Sequence, residues 1–224
     1  MGVHVGDTFP DHLRTELAKF SPRVVVHNAA IPGYTITDQL EQWEDKLSAL
    51  NPDLVLLCHT ASDLKEMARP TSFRRLVKYD DEVPELHDPN VADVIANAGG
   101  GKAEATRRFY TFTQAMLLER LGANAPVELK KLRSMYTRLV LRLAGKTKLA
   151  LVVWAGGYGM AGLTTEPVIT ALRAASIPVF PGALAMQRQG TISVEKLFLP
   201  DGHFSPAGNR IAAKQTAAWL RERL

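Results

Sequence analysis

The stretch KLALVVW at residues 148–154 decides the fold class, because its apolar residues follow one another without alternation. A strand with this pattern is covered on both faces, as in the parallel sheets of α/β proteins. Two other runs share the pattern, RVVVHN at residues 23–28 and DLVLLC at residues 53–58. Together the three runs predict a parallel sheet with a layer packed against each face.

Shorter strands are predicted at residues 177–180 and 194–199, and helical patterns separate the strand candidates. Helices are predicted at residues 10–20, 37–50, 112–121, 127–143, 164–175 and 206–224. Thr37 and Ser205 are the expected N-caps, and Pro206 suits the first helical position after Ser205. The alternation of strand and helix predicts a three-layer α/β/α fold with a mostly parallel sheet.

One stretch, residues 65–112, breaks the alternation. It is polar, punctuated by proline, and contains NAGGG at residues 97–101. We interpret it as an insertion or lid on a single domain spanning residues 1–224, because a second core would need further apolar periodicity. A chain of 224 residues is long enough to bury a core without metal or disulfide staples.

Composition excludes several classes of protein. The net charge is +4, with 27 basic and 23 acidic side chains that are scattered, so no nucleic-acid surface is expected. The single cysteine, Cys58, excludes an intramolecular disulfide, and no metal-ligand spacing joins it to a histidine. We therefore expect no cofactor. No apolar run is long enough to span a membrane, and no secretion signal is visible. The location is cytoplasmic if the N-terminus is complete and unknown if it is not.

The strongest motif is PDGHFSPAGNR at residues 200–210. His203 lies just before a predicted helix and Asp201 precedes it by two residues, so the pair can serve as a base and its orienting carboxylate. The alternative is a polar turn in which Asp201 and Ser205 only cap the helix. Local chemistry leaves both interpretations open.

Two further motifs follow predicted strands. In NAAIPGYT, residues 28–35, Gly33 lets backbone N–H groups approach an anion closely, as an oxyanion hole requires. In CHTASDL, residues 58–64, the polar residues lie at the carboxyl end of a strand, where open α/β sheets bind their ligands. The alternatives are an ordinary strand-to-helix turn around Gly33 and a helix cap at Asp63.

These motifs, in this order, resemble the SGNH (GDSL-type) hydrolases over residues 2–63 and 147–224. The resemblance implies a flavodoxin-like sheet and a Ser-His-Asp mechanism on acyl esters. Carried over by position, it implies that His203 is the base, Asp201 its partner, and Gly33 and Ser62 the oxyanion donors. Thr60 and Asp63 would contact substrate. Ser62 stands where the family has asparagine, and Thr60 where it has glycine.

The nucleophile has two alternatives. Gly6-Asp7-Thr8 is similar to the Gly-Asp-Ser block of the family, with Thr8 in place of serine. In the other alignment residues 2–10 follow the nucleophile block, and the first strand with its serine is missing from the chain. The spacing from Pro10 to Gly33 fits the second alignment better, which would leave the chain inactive as it stands.

The resemblance implies a small-molecule or carbohydrate ester substrate, with an acetyl ester among the candidates. Two related functions stay open, a carbohydrate O-acetyltransferase and a non-catalytic protein that binds an acyl or glycan ligand. Residues 157–162, GYGMAG, also satisfy a dinucleotide-binding pattern. No acidic residue ends the following strand to hold a ribose, so we interpret them as a flexible glycine loop. The sequence does not indicate an oligomeric state.

Overall fold

Three parallel strands form the centre of the structure, β1 (Val55–His59), β2 (Leu149–Val153) and β3 (Val179–Phe180). The computed structural model describes residues 4–31, 34–60, 63, 125–154, 161–182, 185, 194–199 and 203–223. The strands pair in the order β1-β2-β3, with Leu57 opposite Leu151 and Leu151 opposite Val179. The predicted α/β class with a parallel sheet is confirmed for this part of the chain.

Helices lie before, between and after the strands. Their bounds are α1 (Phe9–Ala18), α2 (Ile36–Asp45), α3 (Ala125–Ala144), α4 (Ala161–Ala174), α5 (Val194–Leu197) and α6 (Pro206–Arg221), and a 3₁₀ turn (Leu47–Leu50) follows α2. The Ser205 hydroxyl accepts the Gly208 N–H at 3.1 Å, which confirms the predicted cap of α6. No helix in these ranges combines the length and apolarity that crossing a bilayer requires.

The helices contact both faces of the sheet. On one face, Leu151 and Val179 pack in a cluster with side chains of α2, α3 and α4. On the other face, Val152 and Phe180 pack with α5 and α6, and α1 lies along α6. Leu151 and Val152 are adjacent in β2 and point to opposite faces, yet both are 0% exposed. This double burial explains the continuous apolar pattern of residues 149–154.

Residues 23–28 were predicted as a strand, and the structure corrects this. The segment forms no strand and pairs with none within the described ranges. Val24 and Val26 pack against the interface between α1 and α6, whereas Val25 is 70% exposed. Because α1 and α6 contact Val24 and Val26, these two side chains are partly buried although no neighbouring strand pairs with the segment within the described ranges.

The prediction of a strand at residues 194–199 was also wrong. Val194–Leu197 forms the single-turn helix α5, and Phe198 makes only an isolated antiparallel bridge with Phe204. Leu197 and Phe198 are buried against α6 and the sheet. A short apolar run has the same composition in a buried helix and in a strand, so the sequence pattern does not separate the two.

Candidate functional site

Trp154, the residue after β2, joins segments that are far apart in the sequence. Its ring meets Phe9 edge-on at a centroid distance of 5.7 Å and Phe204 at 5.4 Å. Its backbone N–H donates to the carbonyl of His59 at 2.8 Å. Each of these contacts adjoins a predicted site residue in the sequence: Thr8, His203 and Thr60. Three of the predicted motifs therefore meet at the carboxyl end of the sheet.

His203 lies on a short loop between α5 and α6. The Leu199 N–H donates to the His203 carbonyl at 2.7 Å, and the Ser205 N–H donates to the Leu197 carbonyl at 2.9 Å. The side chain of His203 is exposed, immediately before the N-terminus of α6. The loop thus presents an accessible imidazole. Asp201, its predicted partner, lies outside the described residues, and their pairing stays a prediction.

Thr8 is the N-cap of α1. Its hydroxyl donates to Oδ2 of Asp11 at 2.5 Å and accepts the Asp11 N–H at 3.4 Å. The Gly6 N–H also donates to this Oδ2, at 3.0 Å. The Thr8 hydroxyl bond, followed by the Gly6 bond, lowers the pKa of the Asp11 carboxyl group. The structure gives the Thr8 hydroxyl a capping role, and its role as nucleophile stays a prediction.

Asn209, in the first turn of α6, links this helix to the segment before α1 by a hydrogen bond. Its Nδ2 donates to the carbonyl of Asp7 at 2.9 Å, across 202 positions of sequence. The side chain is nearly buried, at 7% exposure. Asn209 lies in the PDGHFSPAGNR motif, but no role was predicted for it. Its role follows only from the packing of α1 along α6, which no local pattern reveals.

The turn after β1 uses Asp63 to bind its own backbone. The Thr60 N–H donates to Oδ2 of Asp63 at 2.8 Å, and the Asp63 N–H donates to the Thr60 carbonyl at 3.1 Å. The Thr60 hydroxyl reaches Oδ1 at 3.3 Å. The carboxylate therefore stabilises the turn, which agrees with the alternative that Asp63 serves a helix start. Ser62 and Gly33 lie outside the described residues.

A Thr-x-x-Asp pattern recurs at three turns of the chain, and it was not among the predicted motifs. In each case the threonine hydroxyl donates to the aspartate three residues later: Thr8 to Asp11, Thr35 to Asp38, and Thr60 to Asp63. The pattern is an aspartate version of the capping box, so the signal was present in the sequence. It also corrects the cap of α2, because Thr35 rather than Thr37 is the N-cap.

Behind the turn lies a buried group of titratable side chains. His59 is 0% exposed, and its ring lies 4.5 Å from that of Tyr136 in α3. Burial, and then the negative charge of Asp63, raises the pKa of the Tyr136 phenol well above its ordinary value. His59 therefore does not line an accessible surface, and Tyr136 stays protonated at neutral pH.

Cys58 is expected to react slowly with thiol reagents. Burial, as the largest cause, raises the pKa of its thiol to about 12, although part of the residue is accessible. At pH 8 the thiolate fraction is then on the order of 10⁻⁴, and only the thiolate attacks the reagent. We expect Ellman's reagent to label the native protein at pH 8 at least a hundredfold more slowly than the urea-unfolded chain. Equal rates in the two states would contradict this burial.

Comparisons with protein-family models, with curated proteins and with solved structures found no match. No cluster of three histidine, cysteine or acidic side chains that could hold a metal ion occurs among the residues described. The predicted glycine loop at residues 157–162 and the predicted lid at residues 65–112 fall largely or wholly outside those residues. The family resemblance therefore rests on the sequence motifs.

Proposed function

We propose that this chain is an SGNH-type acyl hydrolase with a three-layer, flavodoxin-like fold, acting on a small-molecule or carbohydrate ester such as an acetyl ester. The observation that carries the proposal is the convergence at Trp154. The segments of Thr8, Thr60 and His203 meet beyond the carboxyl ends of parallel strands, where α/β proteins bind ligands. Helices on both faces of the sheet support the three-layer arrangement.

In the proposed mechanism His203 acts first as base and then as acid. Its exposed position before α6 leaves the imidazole accessible to a substrate. Asp201 would hold the imidazole in one tautomer and stabilise the imidazolium that forms when His203 takes a proton. The Gly33 N–H and the Ser62 hydroxyl would donate to the oxyanion of the tetrahedral intermediate.

The proposed nucleophile is the Thr8 hydroxyl, and the reaction requires it to change its partner. In the structure this hydroxyl donates to Asp11, whose pKa is lowered, so the carboxylate is a weak base. To attack an ester, the hydroxyl must release Asp11 and give its proton to His203. A β-branched nucleophile is also more hindered than serine. Both features predict slow turnover.

The bond between Thr8 and Asp11 also favours a second candidate function, in which the chain binds an acyl or glycan ligand without hydrolysing it. If the hydroxyl only caps α1, the site around Trp154 keeps the accessible imidazole of His203 but lacks a nucleophile. The two candidates differ in a single property, which is release of the acyl group.

Hydrolysis of p-nitrophenyl acetate by Thr8 variants tests the proposal. Ser at position 8 keeps an N-cap hydroxyl and removes the hindering methyl group, so Thr8→Ser should retain or raise kcat. Thr8→Ala and His203→Ala should each lower kcat at least a hundredfold, since each removes a group that moves the proton.

Matched controls separate chemistry from folding. Thr15, exposed on α1, and His27, exposed between α1 and α2, are the control positions for alanine substitution. Their variants should keep wild-type rates, and unfolding curves should show that Thr8→Ala loses only about 1 kcal/mol with the cap. If the wild-type chain shows no hydrolysis above His203→Ala, the hydrolase proposal is wrong. Ester-analogue binding that survives in Thr8→Ala would then support the binding function.

A further inference from the structure

His59, the last residue of β1, is a buried histidine that the proposed reaction does not use. Its side chain is 0% exposed, its ring packs against Tyr136, and its Nδ1 lies 2.7 Å from Oδ2 of Asp63. Burying a polar ring costs free energy unless its nitrogens are compensated. The contact between Nδ1 and the Asp63 carboxylate offsets part of this cost.

The short contact places a proton on Nδ1 of His59. An unprotonated nitrogen 2.7 Å from a carboxylate oxygen would repel it, whereas an N–H attracts it. The N–H is not aligned for a directional hydrogen bond, and neither ring nitrogen has such a bond among the described residues. The attraction to Asp63 is therefore mainly electrostatic, and burial strengthens it relative to water.

The oxygen that His59 attracts is the one that closes the turn. Oδ2 of Asp63 accepts the Thr60 N–H at 2.8 Å, and the Asp63 N–H in turn donates to the Thr60 carbonyl. A carboxylate can rotate about its side-chain bonds and leave this position. A proton fixed on the buried ring of His59 favours the one orientation in which Oδ2 faces the Thr60 N–H.

We propose that His59 is a positioning residue, which holds the Asp63 carboxylate in the orientation that closes the Thr60–Asp63 turn. The inference concerns the turn itself and stands on these contacts alone. Its consequence for catalysis rests on the proposed function, in which this turn carries the oxyanion donor Ser62. His59 would then act on the reaction through Asp63, without touching the substrate.

Amide hydrogen exchange measured by NMR on the whole chain tests this role. The Thr60 amide reports on the turn, and the Leu151 amide, which donates to the Pro178 carbonyl at 2.9 Å in the core, reports on global opening. Three variants are compared. His59→Leu has no donor. The amide nitrogen of Asn in His59→Asn replaces Nδ1, and that of Gln in His59→Gln replaces Nε2.

We expect Thr60 exchange, relative to Leu151, to quicken at least about tenfold in His59→Leu and His59→Gln. In His59→Asn the ratio should stay within about threefold of wild type. Three results would show that His59 is not a positioning residue. The ratio of Thr60 to Leu151 exchange could be unchanged in His59→Leu and His59→Gln, or His59→Asn could behave like those two variants. The exchange of both amides could also quicken together. If His59→Leu does not fold, the comparison of Asn with Gln decides by the same criteria.

Kinetics on p-nitrophenyl acetate test the catalytic consequence. His59→Gln should lower kcat, and His59→Asn should restore kcat, because the turn carries the proposed oxyanion donor Ser62. A fall in kcat that is equal in Asn and Gln contradicts the proposal. Absence of hydrolysis by the wild-type chain overturns the proposed function instead, and the exchange experiment still decides the role of His59.

Discussion

Gly208→Ala is expected to destabilise the protein by about 3 kcal/mol, because an added Cβ meets backbone that cannot move aside. Built on Gly208, this Cβ would lie 2.1 Å from the carbonyl oxygen of Leu197 and 3.0 Å from Cδ1 of Phe204. Overpacking at a rigid contact costs about 1–3 kcal/mol or more, whereas alanine gains at most about 1 kcal/mol of helix propensity. The steric cost therefore exceeds the helical gain.

Gly145→Ala is the matched control for this substitution. A Cβ on Gly145 would find its nearest atoms at 3.5 and 3.6 Å, which is ordinary contact. Reduced freedom of the unfolded chain should then stabilise this variant by up to about 1 kcal/mol. Urea unfolding followed by circular dichroism measures both changes. The contact between α5 and α6 is looser than described if Gly208→Ala is as stable as the wild-type protein.

Near His203 the sequence predicted the start of α6 but did not predict the contact between Leu197 and Gly208. Ser205 and Pro206 were predicted at the start of α6 because capping depends on residue types within one turn. The close approach of Leu197 to Gly208 depends on how α5 meets α6, and residues 194–197 were expected to form a strand. A local pattern determines where a helix begins but does not determine which element packs against it.

Contacts between segments that are distant in the sequence also limited the prediction of residues 23–28 and of the contacts of Trp154. Residues 148–154 were identified as a doubly covered strand because every residue from Leu149 to Trp154 is apolar, whatever covers it. Residues 23–28 have a similar composition, yet they form no strand within the described ranges, although Val24 and Val26 pack against α1 and α6. The Thr-x-x-Asp turns, in contrast, are local and were readable in the sequence. The convergence at Trp154 was not, since it joins four separate segments.

The ring of Trp154 packs directly against the backbone of Gly182. Substitutions at these two positions therefore test how tightly the ring is packed. A Cβ on Gly182 would lie 2.4 Å from Cζ3 of Trp154. The ring cannot swing away freely, because Phe9, Phe180 and Phe204 all meet it edge-on. Gly182→Ala should therefore cost about 2–3 kcal/mol, and Trp154→Ala, which removes a large buried ring, about 3–5 kcal/mol.

In the double variant the two costs should not add. Once Trp154 is alanine, the methyl group of Ala at position 182 enters space that the ring occupied, so the clash disappears and part of the cavity is filled. We expect the double variant to be more stable than additivity predicts by at least about 1 kcal/mol, measured by urea unfolding. Gly145→Ala combined with Trp154→Ala is the control pair, and it should be additive because the length of β2 separates the two positions. Additivity in the Gly182 pair would mean that the ring of Trp154 does not rest on the backbone of Gly182 as described.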